Sequence, residues 1–358
     1  AGVSIDGGVN VTLGNNVVSN LNLAVGLTME ATPVAINGVT VDGTYSRSNN
    51  MPVYATNAQT VGYAYDGDGI GIGEGGGTFS NIVVDSAILE YNGAPDKNTD
   101  QGGSGLYIGS VSAMSAGVSI RSTISRFNHG CGFHMGDEWT GGDMSGNVIQ
   151  GNSRGQTTGT CQFAIWMDLR STGAAWLGGR FVNNTVFGNF GSRAISFDNS
   201  VGANTLTFRN NIFAGNEFGF GSSSKTGEVI ISTVANDNIF ESNNNFFVSS
   251  GTAIFRSSQY TCAQINGGTW AAVSANTGDN TVCVDPDFVG SSSAPATTDT
   301  RDYGQFRLKS GSTMRRAGFD LNIGNVQDCG NRAFSHPPSI GGCEATSGDA
   351  APARSVRP

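Results

Sequence analysis

Five short segments carry chemically capable side chains at matching places. They are G-I-G-I-G-E from Gly69, G-L-Y-I-G-S from Gly105, G-F-H-M-G-D from Gly132, A-I-W-M-D-L from Ala164 and A-I-S-F-D-N from Ala194. Each alternates with period two, the pattern of a strand with one buried face. With Ile70/Ile72, Leu106/Ile108, Phe133/Met135, Ile165/Met167 and Ile195/Phe197 turned inward, the outward residues are Gly71, Tyr107, His134, Trp166 and Ser196. The next outward positions are Gly73, Gly109, Gly136, Asp168 and Asp198, with Glu74, Asp137, Glu138 and Arg170 just beyond.

Asp168 and Asp198 occupy matching positions on consecutive rungs. Rungs are ~4.8 Å apart, so the two carboxyl groups are expected roughly 5 Å apart, near the spacing of a retaining glycosidase pair. Two like charges that close raise one pKa, as a general acid requires. Asp137 or Glu138 lies two rungs from Asp198, about 9–10 Å away, which approaches the inverting range. The alternative role for these carboxylates is to cap turns or to hold Ca²⁺.

His134 suits a base for β-elimination from a uronic acid, with Arg170 neutralising the carboxylate and Tyr107 as acid. Its alternative is a surface histidine hydrogen-bonded to a neighbour. Tyr107 and Trp166 read as sugar platforms, since apolar sugar faces stack on rings. Trp139 and Trp176 read as residues of longer connections after strands, where they extend a groove or pack a loop. The acidic, Gly-rich segment from Tyr65 to Gly77 has hard oxygen ligands for Ca²⁺ at Asp66, Asp68 and Glu74, but a turn without metal is the preferred reading. No cofactor is required by these residues, and no metal site is assigned.

The elements that must position these side chains are repeats. N-V-I-Q-G-N ends at Asn152, N-T-V-F-G-N at Asn189, N-I-F-A-G-N at Asn216 and N-I-F-E-S-N at Asn243. A-I-L-E-Y-N at Asn92 and T-I-S-R-F-N at Asn128 extend the series upstream. A unit of twenty to forty residues cannot bury its own apolar face and must stack on its neighbours. No window has sustained helical periodicity, and the apolar segments are rich in the β-branched and aromatic residues that strands favour. The reading is all-β: a single-stranded right-handed parallel β-helix, a solenoid over residues 1–255. An irregular C-terminal cap over 256–345 and a flexible tail over 346–358 complete it. Asn128, Asn152, Asn189 and Asn216 are expected to stack at one corner and hydrogen-bond one another and the turn backbone.

Composition fits many tight turns: 53 of 358 residues are glycine and 13% are charged. Glycine has no period of three, which excludes collagen, and 38% hydrophobic residues at patterned positions exclude disorder. The net charge of −9 opposes nucleic-acid binding, and no segment is long and apolar enough to span a membrane. The opening A-G-V-S-I-D-G-G already reads as strand and turn. It implies either a removed leader or a piece of something longer. By proximity the six cysteines pair as Cys131–Cys161, Cys262–Cys283 and Cys329–Cys343, although six cysteines allow 15 arrangements. The first pair joins neighbouring coils and the others staple the cap. An even count with few charges points to an oxidising, extracytoplasmic location.

The asparagine-ended phrases, with D-P-D-F at Asp285 to Phe288 and F-R-L-K-S-G-S at Phe306 to Ser312, resemble bacterial secreted right-handed parallel β-helix proteins. These are the polysaccharide lyase, alginate epimerase and glycoside hydrolase groups. The resemblance covers most of the chain and implies the fold, a polysaccharide substrate and either a monomer or a homotrimer. It transfers no catalytic residue, because the epimerase D-P-H motif is absent. On the residues themselves, hydrolysis by Asp168 and Asp198 is preferred. Elimination through His134, Tyr107 and Arg170 is the first alternative, and a non-catalytic glycan-binding module is the second.

Overall fold

A computed structural model of the chain shows an almost all-β molecule wound as three parallel sheets, the arrangement of a parallel β-helix. The backbone of the strands is described from Val3 onward. Side chains are described for residues 68–72, 80–93, 103–108, 117–135, 142–153, 161, 163–167, 179–190, 193–196, 207–216, 253, 258–267, 281–290, 305–320, 328–329 and 333–344.

Each coil visits the sheets in the same order. In the central coils the first sheet runs Ile70–Ile72, Leu106–Ile108, Phe133–Gly136, Phe163–Asp168 and Arg193–Asp198, all paired parallel. The third runs Ile88–Glu90, Ile124–Arg126, Val148–Gln150, Thr185–Phe187 and Ile212–Ala214, also parallel. The second sheet takes two short strands from most coils, such as Thr78–Ser80 and Ile82–Asp85. These merge into one long strand at Trp176–Val182, with a register shift between Leu177 and Gly179.

The expected inward register holds. Ile70, Ile72, Leu106, Ile108, Phe133, Met135, Ile165, Met167 and Ile195 are buried in one interior cluster. Val84, Ile120, Met144, Phe181 and Phe208 from the second sheet join it, as do Leu89, Ile149, Val186 and Phe213 from the third. Burying such a side chain stabilises by about 1.5–3 kcal/mol, so the coils are held chiefly by this column.

Both corners that flank the third sheet turn by one device. The turning residue adopts the left-handed conformation, and the residue after it is buried. At the exit from the third sheet the turning residues are Tyr91, Phe127, Gly151, Gly188 and Gly215, each followed by asparagine. Glycine takes this conformation without strain, while Tyr91 and Phe127 must be held there by their surroundings. The asparagines Asn92, Asn128, Asn152, Asn189 and Asn216 form a ladder. Each carboxamide oxygen accepts from both the backbone N–H and the side-chain amide of the asparagine one coil earlier, at 2.6–3.2 Å. Asn147, Asn184 and Asn211 build a second ladder at the entry corner. Buried amides are thereby satisfied where the chain leaves the sheets and the backbone has no strand partner.

Two regions complete the described structure. At the end of the first sheet, Ser258–Tyr260 turns back antiparallel on Ile254–Arg256. The helix Cys262–Asn266 follows, capped by Thr261 and Gln264, and it buries Cys262 and Ile265 against the interior cluster. Further on, the described parts of the C-terminal region, residues 281–290, 305–320, 328–329 and 333–344, lie along the outer face of the third sheet. There Phe288, Phe306, Leu308, Met314 and Ile340 bury Ile88, Ile124, Val148, Phe187 and Ile212. Phe187 meets Phe288 and Phe306 edge-on at 5.5 Å each. Gly341 donates to the Asn210 carbonyl, Gly342 to Thr185 Oγ1 and Asn183 to the Ser339 carbonyl. Much of the outer face of the third sheet is therefore apolar, with the polar side chains of Glu90, Arg126, Gln150 and Thr185 buried on the same strands. Among the described residues Arg126 forms an ion pair there with Glu90, both side chains 1% exposed.

The disulfides Cys262–Cys283 and Cys329–Cys343 form as expected, with Cα atoms 5.9 and 5.0 Å apart. Such bonds persist in oxidising surroundings. The expected third bond does not form: Cys131 and Cys161 are both thiols. Spacing along the repeat brings the two sulfurs together, but proximity alone does not remove their hydrogens. Among the described residues no helix is long and apolar enough to cross a membrane.

Candidate functional site

The outer face of the first sheet carries Tyr107, His134, Trp166 and Ser196. Tyr107 pairs in register with Gly71 and His134, His134 with Trp166, and Trp166 with Ser196. The His134 ring stacks on Trp166 with centroids 4.3 Å apart and planes at 19°. Tyr107 leans on the other face of the imidazole at 4.8 Å and 59°. The rings follow the rung spacing and so cover one another. His134 is 7% exposed and Trp166 3%, while Tyr107 is half-buried. Tyr107 therefore offers the most open ring surface of the three.

One register position further, Gly136 pairs with Asp168 and Asp168 with Asp198. The two aspartates are direct partners at the ends of neighbouring parallel strands, and Gly136 leaves the preceding rung without a side chain. Asp66, Glu74, Asp137, Glu138 and Arg170 lie outside the described residues. Trp139 and Trp176 differ from expectation. They sit in strands rather than connections and pair with each other in the second sheet, away from the His134 ladder. Trp139 lies in a strand of two residues, too short to show alternation, and Trp176 opens the strand Trp176–Val182, whose pattern Gly178 and Gly179 interrupt.

Beside the rings lies a cluster around the two cysteines expected to form a staple. Cys161 Sγ is 3.9 Å from His134 Nδ1 and 3.7 Å from Ser104 Oγ, and it is hydrogen-bonded to the Cys131 thiol. Asp68, buried, accepts from the Ser104 backbone N–H. Trp166 and Phe163 pack over the two sulfurs. Burial pushes the Cys131 thiol well up, and its hydrogen bond to Cys161 adds to this. Burial acts upward on Cys161 too, but the Cys131 hydrogen bond and the His134 charge together outweigh it and hold this thiol well below the usual range. The signal was present: Cys131 and Cys161 each precede a first-sheet strand by a few residues, so both fall at the same corner as His134. Among the described residues no three His, Cys, Asp or Glu side chains are arranged to hold a metal ion.

Compared with models of protein families and with curated proteins, the chain matches no family model and no curated relative.

Proposed function

We propose that the chain is a secreted polysaccharide-degrading enzyme. In this reading it is a right-handed β-helix with a disulfide-stapled C-terminal cap, and it hydrolyses glycosidic bonds along the outer face of its first sheet. The observation that carries this reading is the register pairing of Asp168 with Asp198. One aspartate donates a proton to the leaving oxygen. The other acts as nucleophile or activates water, at the ~5 Å separation that adjacent strands impose. Tyr107 supplies the ring against which a sugar stacks. Hydrolysis is preferred to elimination because both faces of the His134 ring are covered and its Nδ1 lies toward Cys161, which leaves it poorly placed as a base toward a polymer.

The test is a panel of neutral and uronate-containing polysaccharides, assayed in parallel for new reducing ends and for the absorbance of an unsaturated uronate. Reducing ends without that absorbance are expected. Asp168→Asn and Asp198→Asn should each lower the rate by about 10²–10⁴-fold. Absorbance that survives both substitutions would assign elimination instead. Binding without cleavage, indifferent to both substitutions, would make the face a glycan-binding surface.

A further inference from the structure

Six cysteines fall into two classes. Four are joined in disulfides around the C-terminal region. The other two, Cys131 and Cys161, are buried thiols in mutual contact on neighbouring coils. Their surroundings are unequal. The Cys161 sulfur has the Cys131 thiol, the Ser104 hydroxyl and His134 Nδ1 within reach, which are three groups able to donate to a thiolate. Cys131, equally buried, is hydrogen-bonded to the backbone of Phe163. A sulfur next to an imidazole and a second thiol has the three parts of a two-cysteine redox centre: an attacking sulfur, a proton donor and a resolving sulfur.

We propose that Cys131, Cys161 and His134 form an oxidant-responsive dithiol centre that takes a small hydroperoxide, with Cys161 as the attacking sulfur and Cys131 as the resolving one. The depressed pKa of Cys161 is in keeping with this order, because the thiolate is the nucleophile. The Cys161 thiolate attacks the terminal oxygen of the hydroperoxide. The S–O bond forms as the O–O bond breaks, and the electron pair leaves on the alkoxide or hydroxide, which takes a proton from the His134 imidazolium. Cys161 is then a sulfenic acid. The Cys131 sulfur attacks the Cys161 sulfur, the S–S bond forms and the S–O bond breaks. Hydroxide leaves with the Cys131 proton as water. In sum, two thiols and one hydroperoxide give one disulfide, one alcohol (or water) and one water. A small oxidant suits the place, because Trp166 and Phe163 cover the sulfurs and leave no room for a protein disulfide. The disulfide would tie the coil of His134 to that of Trp166, so the redox state bears on the ring ladder. The inference does not depend on what the ladder binds.

The experiment uses the full chain with its other two disulfides intact. A mild reductant followed by unfolding and alkylation should show two free thiols, at Cys131 and Cys161. Addition of hydrogen peroxide to the folded protein should then remove two hydrogens, with peptide mass spectrometry locating the new bond between these cysteines. Cys131→Ser should stop at one added oxygen on Cys161, trapped by a sulfenic-acid reagent. Cys161→Ser should take up neither, and His134→Gln should slow the first step by about 10²-fold. Circular dichroism shows whether each variant is folded, and the wild-type result needs no variant. A Cys131–Cys161 bond that resists the reductant while the other disulfides yield would overturn the proposal in favour of a plain staple. Two thiols inert to peroxide, or oxidation that begins at Cys131, would overturn it as well.

Discussion

The outer faces of the first and third sheets are built on the same coils and meet opposite fates. On the third sheet the outward positions include Ile88, Ile124, Val148, Phe187 and Ile212, and Phe288, Phe306, Leu308, Met314 and Ile340 of the C-terminal region seal them. On the first sheet the equivalent column is Gly71, Tyr107, His134, Trp166 and Ser196, with Asp168 and Asp198 beyond. A solenoid's stability comes from its interior, so an outer face is free to vary. One face has become a second core made by a distant segment, while the other packs its own aromatic and polar side chains against one another, with Tyr107 the most open of them. Polar side chains buried on a face that apolar ones could fill are the place to look for chemistry.

The sharpest way to break this contrast is Phe187→Ala. Phe187 sits between Phe288 and Phe306, so its loss should cost about 3–5 kcal/mol in a urea titration. It should also open residues 281–344 to limited proteolysis. A loss under about 1 kcal/mol would mean that this face is not sealed in solution.

Asn152→Ala comes next. It removes the acceptor for the Asn128 backbone N–H and side-chain amide, and the donor to the Ser125 carbonyl and to Asn189. Buried groups left without partners cost about 1–3 kcal/mol each before relaxation, so a net loss on the order of 3 kcal/mol is expected. The same titration checks it. A neutral result would show that the ladder is incidental to the turn.

Tyr107→Ala, at the most open ring of the first sheet, should cost only about 0.5–1.5 kcal/mol, the worth of one ring contact, while weakening the proposed polysaccharide binding in the same preparation. If it unfolds the protein, the first face is structural after all. Smallest of all is Asp85→Asn, which breaks a part-exposed pair with Arg121 on the second sheet. Its expected effect on the unfolding midpoint is under about 1 kcal/mol.

Much of this was legible in the residues. Alternation gave the inward column and its register, because a one-residue slip would turn every apolar side chain outward. The recurring asparagine gave the corner, since a buried turn needs a side chain that both donates and accepts. Ile88, Ile124 and Val148 were legible as strand, but nothing local announced what covers them. A strand buried on both faces reads as a plain apolar run. Trp139 and Trp176 are less legible, since a two-residue strand carries no period and Gly178 and Gly179 interrupt the pattern after Trp176.

By itself the sequence determined the winding of the chain, its interior column, its asparagine ladder and the matched positions of Asp168 and Asp198. All of these follow from short-period patterns repeated coil after coil. Only the tertiary structure decided that Phe288, Phe306, Leu308, Met314 and Ile340 lie along the third sheet. It alone showed that His134 stacks face to face with Trp166 and that Cys131 and Cys161 meet as thiols beside it. These are contacts between side chains on different coils or distant segments. Spacing along the repeat brings the coils together, but which rings cover one another and whether the sulfurs stay thiols depend on how corners aim the chain and on what is desolvated.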